Sequence, residues 1–588
     1  MHRRWLVNKT NPDYIKYLSK AASISPVLAQ ILINRGIKTL GEIDSFLNPR
    51  MSLLSDPFDI DGIKTAADRI LSAAKRGEKV LVHGDYDVDG LSATAIILRT
   101  LKTLGICCSS FIPHRMKHGY GFNLSSLKEA KQTGASLIIT VDCGITSFEA
   151  TAQCRKEGID IIITDHHEPA VREVAEPPMP PPQEGRVREG VAGDNFLLPD
   201  AFAVINPKVS GLQSPSANLS GSGVAFKLAQ ALAMSAGYDS EAVIYDLLDL
   251  AALGTMADFV PLTGENRLIV KEGLKLIENG RRPGLQALKT VSNIDGKAIK
   301  SGLLLFTIIP RINAAGRISD SNNVPNLLLT DSESEAIEIA LWLDKLNTER
   351  QRIEEEVYQQ ALSILKNKGL SPVVVLFSEG WHRGVIGIVA SRITEEFFRP
   401  AILLSVEGNI ARGSARSIPS FDIFRALAGS KKFLKKFGGH KQAAGLELES
   451  RDISSFEECV NRIANEMLTE SDFVPSLGID ADVDLSDISF NLTREFEMLE
   501  PFGSGNPAPL LGSKRLEVLF PKIVKENHLK MKLRQKDQSL DAIGFYMASF
   551  LEKLSVSTTV DAVYTPLVNE WDGVRNLQLN LKALRPSL

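Results

Sequence analysis

The sequence KVLVHGDYDVDGL, residues 79–91, determines how this chain is expected to fold. Its apolar part, Val80–Val82, is predicted to be a buried strand, and Ser92–Leu104 has the apolar spacing of a helix packed on that strand. Between the two lie one imidazole and three carboxylates: His83, Asp85, Asp87 and Asp89. Open α/β sheets bind ligands at the carboxyl ends of their strands, which is where these side chains are expected.

Three carboxylates so close together repel one another unless a positive charge lies among them. The stretch therefore predicts either a divalent-cation site or a solvated acidic turn. A calcium loop of the EF-hand type is excluded, because the twelfth position counted from Asp85 is Ile96 and not the required glutamate.

In three other stretches an apolar run is followed by acids or imidazoles: LIITVDCG (137–144), IIITDHH (161–167) and DLAALGTMADFVPL (249–262). The side chains concerned are Asp142, Asp165, His166, His167 and Asp258. A single strand-end aspartate is often only a helix cap, and Asp142 taken alone would fit that interpretation equally well. Parallel strands end at one edge of their sheet, however, so four such sites are expected to converge there.

These ligands are carboxylates and imidazoles without a thiolate, which suits Mn²⁺ or Mg²⁺ better than a structural zinc. There are enough of them for two ions bridged by an aspartate, the usual device for displacement at phosphorus. The sequence has no Walker A motif and no GxGxxG at a strand–helix junction, so nucleotide-driven motors and dinucleotide-dependent redox enzymes lose support.

The composition is that of an ordinary globular protein, with 588 residues, 44% hydrophobic and 23% charged. No apolar run approaches the ~20 residues that span a bilayer, and we expect no membrane association. The five cysteines lack CxxC spacing, which argues against a zinc site or a disulfide framework and fits the cytoplasm. A net charge of −4 means that any binding of a polyanion depends on local basic patches.

Strand-like and helical patterns alternate from residue 61 to residue 331, which predicts a mostly parallel α/β sheet. The strands expected there are Val80–Val82, Ser109–Ile112, Ser136–Val141, Ile159–Thr164 and Ala203–Ile205. The proline-rich insertion 168–199 is expected to be mobile and non-catalytic. Around this domain we expect an N-terminal helical segment (1–60), a connector helix (332–366), a smaller α/β domain (367–470) and a C-terminal barrel of the OB type with its lead-in (471–588).

The motifs HGDYDVDG, TVDCGI, TDHH and GTMAD, in this order and spacing, resemble the four motifs of the DHH phosphoesterase superfamily. GGHKQAAG (438–445) resembles the signature of the associated DHHA1 domain. The remaining similarity, from about residue 60 onwards, is to the bacterial single-strand-specific exonucleases of this superfamily. It is carried by GYGFN (119–123), IPRINAAGR (309–317), ENR (265–267), LEPFGSGNP (499–507) and the OB-like region.

The resemblance implies an enzyme that needs Mn²⁺ or Mg²⁺ and removes nucleotides from the 5′ end of single-stranded DNA as 5′-mononucleotides, in DNA repair and recombination. The metal ligands that it implies are His83, Asp87, Asp89, Asp142, His166 and Asp258. By the same resemblance Asp142 bridges the two ions, His167 faces the scissile phosphate and Asp165 orients His166. Two points stay open: Asp85 either ligates or accepts hydrogen bonds in its turn, and Cys143 either ligates or is a small buried hydrophobe.

A phosphodiester substrate needs cations and amide donors around its phosphates. The residues expected to supply them, or to contact the nucleotides, are Asp85, Arg115, Tyr120, Arg311, Asn313, Arg317, Arg416, Gly439 and His440. Arg115 and Tyr120 resemble family positions that contact the 5′-terminal phosphate and stack a base. Lys431, Lys432, Lys435 and Lys436 precede an expected Gly-Gly turn, and they either bind phosphate or cover a solvated helix face. The glycines of SEGWHRGVIGIVASRI begin a helix that could cradle a phosphate.

From Pro501 onward, 12 basic residues face 8 acidic ones. Lys522, Lys525, Lys530, Lys532 and Arg534 alternate there with apolar residues, which predicts either a groove that follows a DNA strand or the solvated outside of a barrel.

Two other functions are considered beside the exonuclease. One is a DHH/DHHA1 phosphodiesterase for short oligonucleotides or cyclic dinucleotides, although such enzymes are generally shorter and lack the OB-like region. The other is a strand-binding scaffold without catalysis, which the intact motifs argue against. For the exonuclease, the resemblance implies a cytoplasmic monomer assisted by a single-strand-binding protein and a DNA helicase.

Overall fold

The computed structural model describes residues 3–115, 117–119, 121–171, 196–209, 211, 214–280, 282–554, 559–571 and 573–587. Tyr120 and most of the proline-rich insertion (172–195) lie outside the described residues, so the expectations for them are not taken further. Among the described residues, no helix combines the length and the apolar character needed to cross a membrane.

The first sheet has five parallel strands, and it confirms the α/β fold expected from the sequence. In spatial order the strands are Cys108–Phe111, Val80–His83, Leu137–Val141, Asp160–Thr164 and Ala203–Ile205. The three central strands are rich in valine and isoleucine and almost wholly buried. The strands of a parallel sheet are apolar along their length because helices cover both faces of the sheet.

The helices around this sheet place the segments that follow each strand. They are Ile63–Arg76, Val88–Thr103, Leu124–Thr133, Phe148–Lys156, Gly221–Ala236, Ser240–Ala257, Gly264–Glu278, Pro283–Val291, Ser301–Phe306, Ile308–Ile318 and Val324–Leu329. Val88–Thr103 is buried along most of its length, because it packs between the sheet and two further helices. A short antiparallel pair, Ala170–Val171 with Phe196–Leu197, flanks the insertion.

The predicted connector helix is present as Glu333–Lys368. With 36 residues it is about 54 Å long. The side chain of Ser332 caps its first turn by accepting a hydrogen bond from the amide of Glu335 at 3.3 Å. This helix joins the first sheet to the second.

The second sheet is mixed and has five strands. In spatial order they are Leu434–His440, Ala443–Glu449, Ile410–Arg416, Ala401–Glu407 and Val374–Glu379, with the helices Ile386–Phe397, Ile423–Gly429 and Ile453–Met467. The prediction of a turn at the Gly-Gly pair is wrong. Gly439 and His440 lie within the strand Leu434–His440, and the turn follows at residues 441–442. The lysines before the glycines belong to a 3₁₀ turn and this edge strand rather than to an α-helix face.

The C-terminal region contains a closed five-stranded barrel, as predicted. Its strands are Leu511–Val524, His528–Gln535, Gln538–Gly544, Val574–Pro586 and Thr559–Trp571, and the last pairs with the first. Ala481–Asp482 adds a short parallel strand, and the helices Phe490–Met498 and Leu551–Leu554 lie nearby.

The N-terminal helices share their hydrophobic core with this C-terminal region. They are Pro12–Ala22, Pro26–Asn34 and Leu40–Leu47, as the helical pattern predicted. The strand Arg4–Val7, which was not predicted, pairs in parallel with Ser476–Ile479. The two ends of the chain therefore fold together.

Candidate active site

The strand-end side chains of the first sheet converge on one pocket. The Nε2 atom of His166 lies 3.1 Å from Asp142 Oδ1, 3.5 Å from Asp258 Oδ2 and 3.9 Å from Asp89 Oδ2. Three groups have ligand atoms within 4.8 Å of one another: Asp142–His166–His167, Asp89–His166–Asp258 and Asp85–Asp87–Asp142. Because the groups share His166 and Asp142, the pocket has donors for neighbouring cations.

The local backbone brings these carboxylates together. Asp142 follows its strand with a φ of 61°, in the left-handed region, which re-aims the side chain. The carboxylate of Asp89 accepts hydrogen bonds from the amides of Gly221 (2.7 Å) and Ser222 (2.9 Å), at the positive end of a helix. At Gly254 a Cβ would lie 2.6 Å from Asp89 Oδ1, so only glycine lets that helix approach.

Several polar atoms of the strand-end residues are buried and have no hydrogen-bond partner among the described residues. They are His83 Nε2, Asp85 Oδ1, Asp142 Oδ1 and Asp258 Oδ2. Asp85, Asp142 and Asp258 belong to the three groups above, whereas His83 belongs to none of them. Buried polar atoms are normally paired, so these atoms indicate a ligand. Oxygen and imidazole donors without thiolate fit Mn²⁺ or Mg²⁺.

The charges of the pocket also indicate a cation-binding site. Burial, and then the neighbouring carboxylates, raise the pKa of Asp85 and of Asp142 well above the ordinary value, and the pKa of Asp89 is raised for the same reasons. Burial lowers the pKa of His83 to about 3, so its ring is neutral, as metal binding requires. Its Nδ1 atom lies 2.8 Å from Ser126 Oγ, which leaves Nε2 as the atom facing a ligand.

The resemblance implied that Asp165 orients the ring of His166, but the structure pairs Asp165 with the ring of His167 instead. Its Oδ1 atom accepts hydrogen bonds from the amides of His166 (2.7 Å) and His167 (3.0 Å) and lies 2.8 Å from His167 Nδ1. Its Oδ2 atom accepts from the amide of Ile145 at 2.9 Å. The ring held by Asp165 is therefore that of His167, whose pKa is about 9: burial lowers it, but the hydrogen bond and charge of Asp165 raise it more.

Cys143 is buried and belongs to none of the candidate metal groups found among the described residues. Of its two interpretations, the structure therefore favours the small buried hydrophobe.

A cluster of arginines lies beside the acidic pocket. Arg115 stacks over the ring of Tyr86, 5.2 Å from its centroid, and Tyr86 separates Asp85 from Asp87 in the chain. The pKa of Arg317 is lowered to about 10, first by burial and then by Arg115 and other arginines. Burial and Arg115 also lower the pKa of Arg416. Two more arginines of this surface, which the sequence reasoning missed, are Arg350 and Arg383. His382 lies beside them, and burial and the charge of Arg115 lower its pKa.

The glycines predicted to cradle a phosphate pack against this cluster. Arg317 Nη1 lies 3.4 Å from the carbonyl oxygen of Gly384. A Cβ at Gly387 would lie 3.2 Å from Arg416 Nη2 and 3.0 Å from Ser414 Oγ. Arg416 also donates to Ser414 Oγ at 3.0 Å, so a hydroxyl accompanies the guanidinium.

The other predicted substrate residues have different surroundings. Arg311 donates to Asp344 Oδ1 (2.8 Å) and to the carbonyl of Thr307 (2.8 Å), so it joins two helices, and we withdraw its assignment to substrate. Asn313 Oδ1 accepts from the amide of Val88 at 3.3 Å, which ties it to the first acidic motif. Gly439 has a φ of 141°, and His440 is exposed at the end of the same strand.

A parallel α/β sheet whose strand ends gather carboxylates and imidazoles beside an arginine cluster defines a metal-dependent phosphoesterase. The DHH family N-terminal domain matches residues 79–255, the DHHA1 domain 351–467 and the RecJ OB domain 479–583.

The single-stranded-DNA-specific exonuclease RecJ of Bacillus subtilis (strain 168) is 36% identical, over 98% of this chain and 70% of its own length. RecJ of Escherichia coli (strain K12) is 31% identical over 96% of each chain. The crystal structure of RecJ from Thermus thermophilus in complex with Mn²⁺ superimposes with a TM-score of 0.83 at 29% identity, covering 100% of this chain and 80% of the other. The chain belongs to the RecJ family.

Proposed function

We propose that this chain is an exonuclease that degrades single-stranded DNA from its 5′ end to 5′-mononucleotides, with two Mn²⁺ or Mg²⁺ ions, in DNA repair and recombination. The observation that carries the proposal is the pocket of carboxylates and imidazoles next to a cluster of arginines. Several of its polar atoms have no hydrogen-bond partner within the described part of the chain. The carboxylates can bind cations, and the arginines can bind phosphate. Membership of the RecJ family supports the same activity.

The residues proposed to hold the ions are His83, Asp87, Asp89, Asp142, His166 and Asp258, with Asp85 as a further ligand. Ions bound there would supply the positive charge and water activation that hydrolysis of a phosphodiester needs. His167 lies at the edge of the group, and Asp165 keeps its ring oriented, with Nδ1 2.8 Å from Asp165 Oδ1. We assign to His167 a hydrogen bond to the oxygen of the scissile phosphate.

The arginine cluster is proposed to bind the 5′-terminal phosphate. In the part of the chain that the structure describes, Arg115 contacts the ring of Tyr86, Arg317 the carbonyl of Gly384 and Arg416 the hydroxyl of Ser414. None of the three forms a salt bridge with a carboxylate among these residues. A terminal phosphate carries almost two negative charges and accepts several hydrogen bonds, which suits three guanidinium groups and the hydroxyl of Ser414. Anchoring the end of the strand would place the first internal phosphodiester at the metal pocket.

The barrel is proposed to hold the rest of the strand. Lys522 and Lys530 lie opposite each other on neighbouring strands, an unfavourable arrangement of like charges unless an anion lies along them. Phe520 is 77% exposed and Tyr546 82%, so their rings are available to stack on bases. Lys532 and Arg534, in contrast, pair with acidic residues of the barrel and fit the interpretation as a solvated outer face.

Digestion of one oligonucleotide labelled at either end tests the proposal. With Mn²⁺, we expect the 5′-labelled strand to release labelled mononucleotide at once and the 3′-labelled strand to shorten progressively. Release that begins at the 3′ end would contradict the polarity, and equal digestion of duplex would contradict the strand preference. Hydrolysis of a dinucleotide in preference to the long strand would favour the short-oligonucleotide phosphodiesterase. The monomeric state, the cytoplasmic location and assistance by a single-strand-binding protein and a helicase are proposed with the activity.

A further inference from the structure

The metal pocket is bordered by a short segment whose backbone aims one ligand. Asp258 ends the helix Ser240–Ala257, and residues 259–262 lead from it into the helix Gly264–Glu278. Asp258 Oδ1 accepts a hydrogen bond from the amide of Phe259 at 2.7 Å. The other oxygen, Oδ2, faces His166 and has no hydrogen-bond partner among the described residues. The direction of this carboxylate therefore depends on where the segment 259–262 lies.

A turn of the C-terminal region, residues 503–506, packs against this segment. We call it the C-terminal turn. The amide of Leu262 donates to the carbonyl oxygen of Ser504 at 2.8 Å. Gly505 has a φ of 69°, and a Cβ there would lie 2.9 Å from Pro261 Cβ. A Cβ at Gly503 would lie 2.7 Å from Leu262 Cδ1. Two of the four residues in the turn are thus glycines that allow close approach to the segment after Asp258.

The turn is itself tied to the catalytic domain by Arg267, a buried residue of the ENR motif. The guanidinium donates to the carbonyl oxygens of Met498, Leu499 and Glu500, each at 2.9 Å. It also donates to the carbonyl of Phe46 at 2.8 Å, and it lies 3.9 Å from the centroid of the Phe46 ring. These carbonyls end a helix and would otherwise be unsatisfied.

Asn506 closes the turn from within. Its side chain donates to the carbonyl oxygens of Leu499 and Pro501, both at 2.8 Å, and its backbone exchanges hydrogen bonds with Gly503 at 3.0 and 3.1 Å. The turn is therefore a fixed structure, and its position against residues 259–262 follows from Arg267 and Asn506 together.

We propose that the C-terminal turn positions the metal ligand Asp258, so that metal binding in the catalytic pocket depends on the docking of the C-terminal region. The proposal rests on the metal site of the proposed function and adds that this region, beyond holding DNA, acts on the metal centre. Gly505 and Arg267 are positioning residues, which act through the segment after Asp258. Because coupling between sites is reciprocal, bound metal also strengthens the docking.

The test measures binding of Mn²⁺ alone to the full-length chain, by the paramagnetic resonance signal of free Mn²⁺. The Cβ added by Gly505→Ala would lie too close to Pro261. Gly408→Ala is the matched control, because Gly408 has a similar φ of 59° and no atom of the described residues lies within 4 Å of its Cβ position. We expect Gly505→Ala to weaken Mn²⁺ binding about 10-fold or more, as loss of a supporting contact to a metal ligand does. Gly408→Ala should bind as the parent does.

Equal Mn²⁺ affinity of Gly505→Ala and Gly408→Ala would overturn the proposal, as would an Asp258→Asn chain that binds Mn²⁺ like the parent. Thermal unfolding without metal checks that the two glycine variants are equally folded. If Gly505→Ala does not fold, Gly503→Ala takes its place and must show the same weakening. A parent chain that binds Mn²⁺ but leaves DNA intact refutes the nuclease, whereas weakened Mn²⁺ binding by Gly505→Ala in that same chain still supports the positioning role.

Discussion

Replacing Arg317 by methionine is expected to stabilise the fold while it weakens recognition of the 5′ end. Burial and the neighbouring arginines lower the pKa of Arg317 to about 10, so its charge is less favourable in the folded chain than in the unfolded one. At pH 7 both states are protonated, and the full cost applies. At about 1.4 kcal/mol per pKa unit, that cost is on the order of 3 kcal/mol, of which an apolar side chain of similar length recovers a part.

The effect on activity has the opposite sign. A hydrogen bond from a charged donor is worth about 1.5–3 kcal/mol, which corresponds to a loss of about 10- to 150-fold in kcat/KM on a 5′-phosphorylated strand. The same strand with a 5′-hydroxyl never uses that contact, so its kcat/KM should change little. The measurement is therefore the ratio of kcat/KM for the two strands, together with the free energy of unfolding in urea without DNA.

Arg311→Met is the matched control, because Arg311 lies on the same helix, Ile308–Ile318, but is paired with Asp344 at 2.8 Å. It should lose stability and keep the preference for a 5′-phosphate. An Arg317→Met chain that keeps that preference would refute the assignment of Arg317 to the 5′-phosphate, and so would an equal loss of the preference in the two variants.

Three more outcomes are expected. Asp142→Asn and His166→Ala should each lower turnover about 100-fold or more while single-stranded DNA is still bound in fluorescence anisotropy, whereas a scaffold would be unaffected. Mn²⁺ at 100 times its Kd should stabilise the parent chain by about 2.7 kcal/mol for each bound ion in thermal unfolding, and a chelator should abolish the gain, as should Asp142→Asn. Lys227→Met should lower the free energy of unfolding in urea by about 3–5 kcal/mol, because it leaves the buried carboxylate of Glu265, 2.7 Å away, without its cation. Adding Glu265→Gln should restore most of the loss. No recovery would contradict a buried ion pair.

The catalytic sheet could be predicted because its signals are local. The apolar strands Val80–His83 and Leu137–Val141 are each followed directly by the acids that they position, and a parallel sheet brings strand ends together whatever the distance along the chain. The helix Glu333–Lys368 could be predicted equally well, because apolar residues recur at helical spacing between Ile339 and Leu365.

The features that were missed depend on partners distant in sequence. The strand Arg4–Val7 pairs with Ser476–Ile479, and four residues carry no pattern that indicates such a partner. Arg311 has the chemistry of a phosphate ligand, and only the position of Asp344 shows that it is already paired. The choice of Asp165 between two adjacent histidines depends on ring orientation, which sequence spacing does not specify.

The acidic pocket and the arginine cluster are neighbours, yet they do not neutralise each other. Arg115 contributes to the field at Asp85, but its guanidinium lies over the ring of Tyr86 and forms no salt bridge with a carboxylate in the described structure. A fold selected only for stability would bring these groups into contact, because pairing would remove repulsion on both sides. Because the two groups stay apart, the acidic pocket still requires cations and the arginine cluster still requires an anion. In the proposed function, a DNA strand with a terminal phosphate would satisfy the second site and present its next phosphodiester to the first. The separation of charge would then select strand ends over internal positions.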